Sequence, residues 1–402
     1  MLFSAWSLPH LSAKNRLVRS ATYEGLGDER GRPRPELGAL YRKLAEHEIG
    51  TIITGFAYVS RRGRAMHPAQ CGIDDNDKIA SWARVVSEVR RAEPRTLVVI
   101  QLAHAGLQTL ASVTALVPWA PSVWHSRYFR SRPIEMTEPD VRQTIEEFAR
   151  AALRAKLAGF DGIQLHAAHG YLIHQFLSPL VNRRRDVWGA DRFQFLAETI
   201  AVIRSTCGAA FPIFVKLSVP DGLPGGIDLE LGAGYAARLA EAGVEALEVS
   251  YGTMEQPLNI FRGGVPLDLV LAHNPRFNRT PRCLVPLWKR FGYPKLRREL
   301  IAFRQHYNLD AARRIRQVAR LPLILVGGIR GRAGAEAILA AGDADAVALC
   351  RPLVCEPEFG SRLRSDDSAI SLCRNCNRCA VMCDTAATLR CYRSSGPEEE
   401  PC

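Results

Sequence analysis

Short apolar runs alternate along this chain with stretches whose apolar positions recur every three to four residues. The runs at 16–22, 51–55, 97–102, 162–166, 213–218, 246–250, 323–327 and 346–349 read as buried strands. Between most of them lie amphipathic helical patterns, at 78–91, 138–157, 191–205, 229–241, 309–319 and 333–340. Val141, Ile145, Phe148, Ala152 and Leu153 keep the helical period closely, and Phe195, Ile200 and Ile203 keep it less well. Thr137-Glu-Pro-Asp140 reads as a helix start, with a side-chain oxygen available to the first unpaired amides. Eight strands alternating with helices predict an α/β protein, its parallel sheet closed into a (β/α)8 TIM barrel. An open doubly wound sheet is the alternative, but no Gly-x-Gly-x-x-Gly follows the first strand. In a barrel, chemistry collects where the eight loops converge at the C-terminal strand ends.

One connection breaks the rhythm. The long segment 251–303, between strands six and seven, is aromatic and basic, with Pro and Gly spread through it. It reads as a lid or side wall over the barrel mouth, or as a plain surface excursion. The barrel is expected over 1–359 and a short cysteine-rich tail over 360–402, its end at 394–402 disordered. At 402 residues and 47% hydrophobic positions the chain can bury a large core. No apolar run approaches the ~20 residues that cross a bilayer. Met1 to Trp6 shows no secretory signal, so a cytoplasmic location is expected. The net charge of +12 asks for an anionic partner. Its arginines are scattered, denser only at 183–185 and 276–304, which favours an anionic cofactor or substrate over nucleic acid. Nothing in the sequence sets the oligomeric state.

The densest chemistry follows the run at 161–165: His166-Ala-Ala-His169-Gly-Tyr171. Two imidazoles and a phenol at a strand end can bind a polar oxygen and deliver a proton to the neighbouring atom. A lone strand-end histidine is more often structural, but a pair at this spacing before Gly-Tyr favours catalysis. His104 packs or acts with equal weight, and His174 reads as structural. Gln101 ends the third strand. Tyr58 and Trp124 either pack or wall a pocket. At the other side of the barrel, Gly327 and Gly328 end one strand, and Cys350 and Arg351 end the next. Barrels often hold phosphate there, because glycine lets backbone amides approach an anion and an arginine adds a charged hydrogen bond. Two ordinary βα turns are the bland reading.

From about Leu8 to Pro357 the chain resembles the Old Yellow Enzyme family of FMN-dependent oxidoreductases. The motifs that carry the resemblance stand in family order. They are Asn15-Arg-Leu-Val-Arg-Ser-Ala-Thr-Tyr23, Thr54-Gly-Phe-Ala57-Tyr-Val and Gln101-Leu-Ala-His104-Ala-Gly106. After them come the His166 motif with His174-Gln-Phe-Leu-Ser-Pro-Leu, then Phe214-Val-Lys216-Leu-Ser and Val326-Gly-Gly-Ile-Arg330. The resemblance implies one FMN across the barrel mouth. Gln101 would bond the isoalloxazine edge, and Lys216 would lie near its N1/C2 carbonyl and favour the anionic reduced ring. Ala21 and Ala57 would line the ring through their backbones, and Gly327, Gly328, Cys350 and Arg351 would hold the phosphate. NAD(P)H would load the flavin and leave before an α,β-unsaturated carbonyl substrate enters. His166 and His169 would then polarise the carbonyl, hydride would pass from N5 to the β-carbon, and Tyr171 would protonate the α-carbon. Tyr23 would add a donor from the first strand. The reverse reaction, a desaturation, uses the same groups. The chain departs from the family pattern at Cys350, where glycine is usual, and at Val187–Arg192, which is shorter.

Five of the eleven cysteines fall within 373–391: Cys373, Cys376, Cys379, Cys383 and Cys391. The first four match a C-x2-C-x2-C-x3-C ferredoxin spacing, with Asp384 where proline is usual. Long members of the same family, such as dienoyl-CoA reductases, bind a four-iron cluster just after the barrel, with a third gap one residue different. A [4Fe-4S] cluster, a zinc ion and reduced thiols all suit these residues. The second flavin and nucleotide domain of the long members is not expected here, so a cluster would need an external electron partner. Two other classes remain open on sequence. One is a zinc-dependent barrel hydrolase with His166 and His169 as ligands, and the other is an electron carrier or regulator built on the tail.

Overall fold

A computed structural model describes residues 1–274, 277–278 and 281–393. The expected disordered end at 394–402, and Arg276 of the basic stretch, lie outside the described residues.

All eight expected strands form. They are β1 Leu17–Arg19, β2 Thr51–Ile53, β3 Leu97–Ala103, β4 Gly162–Ala167, β5 Ile213–Ser218, β6 Ala246–Ser250, β7 Leu323–Val326 and β8 Ala346–Leu349. Each pairs in parallel with the next, and β8 returns to β1 through Val347 opposite Leu17 and Leu349 opposite Arg19, which closes the barrel. Every position in these strands is buried, because helices cover the outer face and packed side chains fill the inner one. The expected first strand ran to 22, but pairing ends at Arg19 and residues 20–26 continue without a ladder partner.

The barrel helices are α1 Pro35–Glu46, α2 Ile79–Ala92, α3 Glu138–Leu157, α4 Gln194–Cys207, α5 Leu229–Glu241, α6 Leu309–Val318, α7 Arg332–Ala340 and α8 Phe359–Ser365. α3 opens with a complete capping box between Thr137 and Asp140. α1 was not among the expected helices, although Leu37, Tyr41, Leu44 and Ala45 share its buried face. The Gly-Arg-Pro-Arg-Pro stretch at 31–35 that introduces it reads locally as a turn. α4 starts three residues later than expected, because Asp186 caps a separate short helix, Val187–Ala190, through the Trp188 amide.

A two-stranded hairpin, Trp6–Ser7 with Ser12–Ala13, belongs to the apolar cluster at the base of the barrel. Trp6 packs there with Val18, Ile53, Val99, Phe214 and Ile324. One layer up, the same inward positions turn polar. The 251–303 segment is no bare loop, since it folds into helices at Pro257–Phe261, Leu267–His273 and Val285–Arg298. The boundary expected at 359/360 falls in the first turn of α8, where Phe359 and Leu363 are buried. The tail then crosses back over β7, with Ser371 N donating to Arg330 O. Its helix Arg378–Met382 packs on Leu267–His273. Within the dense 183–185 patch, Arg184 is tied to Asp186 and to the carbonyls of Pro121 and Met136. Among the described residues no helix is long and apolar enough to cross a membrane.

Candidate active site

A cavity of about 1090 Å³ opens at the C-terminal ends of the strands. That is just above the usual range for small-molecule sites, roughly 300–1,000 Å³. Ala21, Thr22, Tyr23, Gln101, His166, His169, Tyr171, Lys216, Cys350 and Arg351 line it, together with Trp124. Residues from six separate stretches of sequence therefore meet in one place. The 251–303 segment contributes Met254, Val270 and Trp288 among others, so it is a side wall of the mouth.

β4 and the turn after it place the histidines and the phenol. His169 and Gly170 both have positive φ, +60° and +81°. That conformation is uncommon for histidine, and Gly170 leaves no room for a side chain, since a Cβ there would lie 2.1 Å from Gln108 Nε2. The turn is pinned by His169 N donating to Ser218 Oγ at 3.0 Å and by Met254 N donating to His169 O at 2.9 Å. His169 Nε2 lies 2.8 Å from Ser250 Oγ. The His166 ring stands 5.0 Å from that of His169 and 4.8 Å from that of Tyr171, both edge-on. His166 Nδ1 is buried with no hydrogen-bond partner.

Electrostatics keep this group uncharged. Burial first, then Lys216 and His174, holds His166 well below the ordinary histidine value. Burial and then His166 do the same to His169. Burial alone raises Tyr171 above the ordinary phenol range, so it keeps its proton. Tyr23 is raised chiefly by burial too, and its hydroxyl accepts from Ala69 N at 3.2 Å. Residues 20–24, which carry Ala21 and Tyr23, are anchored by Glu24, which takes Arg19 Nη2 at 2.8 Å, Gly55 N at 2.9 Å and the Tyr41 hydroxyl.

Beneath the histidines lies a buried polar layer that the sequence reading missed in part. Gln101 Nε2 donates to Gln164 Oε1 at 2.6 Å, and Gln164 Nε2 donates to Glu248 Oε2 at 2.8 Å. Lys216 Nζ reaches Glu248 Oε1 at 3.1 Å and Ser20 Oγ at 2.8 Å. Strand register explains the grouping, because Gln101 is paired with Gln164 and Lys216 with both His166 and Glu248. A glutamate in the middle of the short apolar run 246–250 was the available signal. Phe56, His67 and Asp384 also line the cavity. Asp384 gave no sequence signal as a site residue, because its place depends on the tail folding back.

Other expected residues sit elsewhere. Ala57 is buried in the outer core against β3, and its neighbour Phe56 takes the place on the cavity wall. Tyr58 packs under Gly31 and Gly72 and donates to Arg30 O, whereas Trp124 walls the cavity. His104 is buried beside Gly63 and accepts from Gly106 N at 3.0 Å. His174 lies 3.4 Å from Asp221 in the core below the site.

These positions bear on FMN directly. At the ring end the fit is good, with small Ala21, the Gln101 amide, a lysine and two imidazoles lining one broad cavity. At the phosphate end Cys350 and Arg351 line the cavity, but Gly327 and Gly328 do not. Their positive φ values and missing side chains instead admit the chain at 304–308, since a Cβ on Gly327 would meet the Tyr307 ring at 2.5 Å. One on Gly328 would meet His306 N at 2.7 Å. Arg351 Nη1 donates to Arg262 O and to Asn377 Oδ1 of the tail.

The cysteines divide. Cys373, Cys376 and Cys391, joined by Cys355, line a second, much smaller cavity, Cys383 lines the large one, and Cys379 lines both. Burial pushes the Cys355 and Cys379 thiols up to about 12, which favours the protonated form. Among the described residues no group of three or more His, Cys, Asp or Glu side chains is disposed to hold a metal ion. That applies to the tail and to His166 with His169, and the zinc-hydrolase alternative therefore lacks a third ligand among them.

A closed parallel barrel with donors and an ion pair gathered around one large mouth suits a cofactor-dependent barrel enzyme, and the family match names the cofactor class as flavin. The chain belongs to the NADH:flavin oxidoreductase / NADH oxidase family, whose profile matches residues 1–259. It is 31% identical over 363 residues to an NADPH dehydrogenase of Bacillus velezensis, covering 89% of this chain and 92% of that protein. It is 32% identical over 381 residues to an NADH oxidase of Thermoanaerobacter brockii, 94% of this chain but 52% of that protein, so it spans about half of the longer relative. The fold matches an Old Yellow Enzyme homologue from Zymomonas mobilis with a TM-score of 0.70 at 22% identity, covering 92% of this chain and 94% of that one. It also matches a 2-naphthoyl-CoA reductase with a TM-score of 0.80 at 21% identity, covering 97% of this chain and 56% of that one. The chain is thus a member of that flavin oxidoreductase family with the fold of an Old Yellow Enzyme homologue.

Proposed function

We propose that the protein reduces the activated C=C bond of an α,β-unsaturated carbonyl compound, using FMN loaded by NAD(P)H. The observation that carries this reading is the trio His166, His169 and Tyr171 on one strand end, uncharged and facing the cavity above Gln101 and Lys216. FMN, when bound, supplies a hydride from N5. Gln101 and Lys216 would hold its ring edge, Ala21 would leave space for its face, and Arg351 with Cys350 would meet its phosphate.

The chain's own groups do the rest. Neutral His166 and His169 each have an N–H to offer a substrate carbonyl oxygen, and that oxygen gains charge as hydride arrives at the β-carbon. Donors fixed by the turn need no reorganisation at that moment, which is where such hydrogen bonds lower a barrier most. Tyr171 keeps its proton until the α-carbon becomes basic enough to take it. Trp124, Phe56 and the 251–303 wall keep the carbonyl away from bulk water.

A visible spectrum of the purified protein tests the cofactor, and stopped-flow half-reactions test the roles. Tyr171→Phe is expected to slow reoxidation by an enone roughly 10²-fold or more, in line with loss of a general acid, while reduction by NAD(P)H keeps its rate. Equal losses in both half-reactions would remove Tyr171 from the proton-transfer step. Metal and acid-labile sulfide analysis of the same sample decides whether the tail cysteines carry iron, zinc or neither.

A further inference from the structure

We infer that Glu248 is the positioning residue of the flavin floor. It fixes which face of Gln101 meets the cavity, and it compensates the Lys216 charge that the bound ring would otherwise feel alone. The inference rests on the FMN reading above and adds a residue to it.

The geometry is a directed chain. Glu248 is fully buried on β6 and can only accept hydrogen bonds, so Gln164 must turn its NH₂ toward it. Gln164 then presents its carbonyl to Gln101, which must answer with Nε2. The Gln101 carbonyl oxygen is left with no partner in the chain among the described residues, on a side chain that lines the cavity. The carboxylate therefore sets the Gln101 amide two side chains away, and a ring N–H would meet an acceptor there.

The other carboxylate oxygen takes Lys216 Nζ at 3.1 Å and Ser20 Oγ at 2.5 Å. Lys216 and Glu248 are 5% and 0% exposed, so solvent screens this pair little. A flavin that gains two electrons and one proton carries one extra negative charge. An unpaired lysine under the ring would favour that anion strongly, whereas a lysine closed onto Glu248 favours it much less. A purely structural role for the ion pair would lower stability on mutation and leave the ring's electronics alone, which separates the two explanations.

The test uses the full-length, FMN-loaded protein and sulfite, which adds to oxidised flavin as an anion and bleaches its visible band. Glu248→Gln keeps the shape and removes the charge. It is expected to tighten sulfite binding about tenfold or more, and to move the flavin midpoint potential in the positive direction. Lys216→Met should do the opposite. Sulfite affinity and midpoint potential both unchanged in Glu248→Gln would overturn the inference. If that variant does not fold, Ser20→Ala loosens the same pair without burying a lone charge; it should shift sulfite binding in the Glu248→Gln direction by a smaller factor, and no shift there overturns the inference equally. A wild-type protein that neither contains nor takes up FMN fails the proposed function instead, before Glu248 is tested.

Discussion

The imidazole of His169 touches Ser250 on one side and opens to the cavity on the other, with its backbone held in a turn that few histidines adopt. His169→Ala is expected to weaken binding of phenols at the flavin face by about tenfold or more, the scale of one charge-assisted hydrogen bond lost. A charge-transfer titration reads it, and an unchanged phenol affinity contradicts the role. Two other histidines add to the acid sensitivity of the fold. Burial holds His67 down to about 4 and His104 down to about 3, against roughly 6.5 in an unfolded chain. Below pH 6.5 the unfolded chain takes up protons that the folded one refuses. Stability is therefore complete above that pH and falls as pH drops, for His67 until about 4 and for His104 until about 3. The slope is up to about 1.4 kcal/mol per pH unit for each group. Urea unfolding between pH 7 and 4 should show the decline, and His67→Gln should flatten it. At this scale the sequence was most readable where chemistry is local: His166, His169 and Tyr171 lie within six residues, and one turn gathers them. Glu248 was harder to read, because its meaning comes from strand register rather than from its neighbours in the chain.

Among the elements, α3 shows how far local rules reach. Its start, its end and its apolar face were all legible, because Thr137 and Asp140 satisfy each other's backbone groups in the first turn. Thr137→Ala is expected to cost about 1 kcal/mol, measurable as a lowered urea midpoint with unchanged FMN content. β5, β6 and β8 were equally legible, as short apolar runs between helices. α1 was not, because its Pro-rich approach masks a clear buried face. The paired glycines after β7 show the opposite failure. Their pattern promised an open phosphate cradle, yet residues 304–308, which follow the long connection, pass where that cradle would stand. A glycine records that something comes close without recording what. Arg351 is left as the charged contact at that end, steadied by Asn377 of the tail.

Over the whole molecule, the barrel came from periodicity and the cavity's enclosure did not. Residues 251–303 and the cysteine-bearing tail follow no period, and their places depend on contacts across long stretches of sequence. They meet beside the mouth, where Asn274 Nδ2 donates to Asp384 Oδ2 at 2.8 Å across 110 residues of chain. Burial raises Asp384 to about 7, so the carboxyl gains charge near neutral pH. Its folded value exceeds its unfolded one, so it contributes stability that is present below about pH 4 and lost as pH rises through 7. Asp384→Asn should therefore be the more stable form above pH 7, by about 1 kcal/mol or more, as a thermal unfolding series would show.

That clasp has a kinetic consequence. In the proposed reaction a nicotinamide and a carbonyl compound use the same entrance in turn, and the entrance is framed by two pieces of chain fastened to each other at its edge. Stitching them covalently, with Asn274→Cys and Asp384→Cys under oxidising conditions, should slow exchange of whatever sits inside, and a reducing agent should restore it. A turnover rate indifferent to the stitch would mean that traffic passes by another side of the barrel.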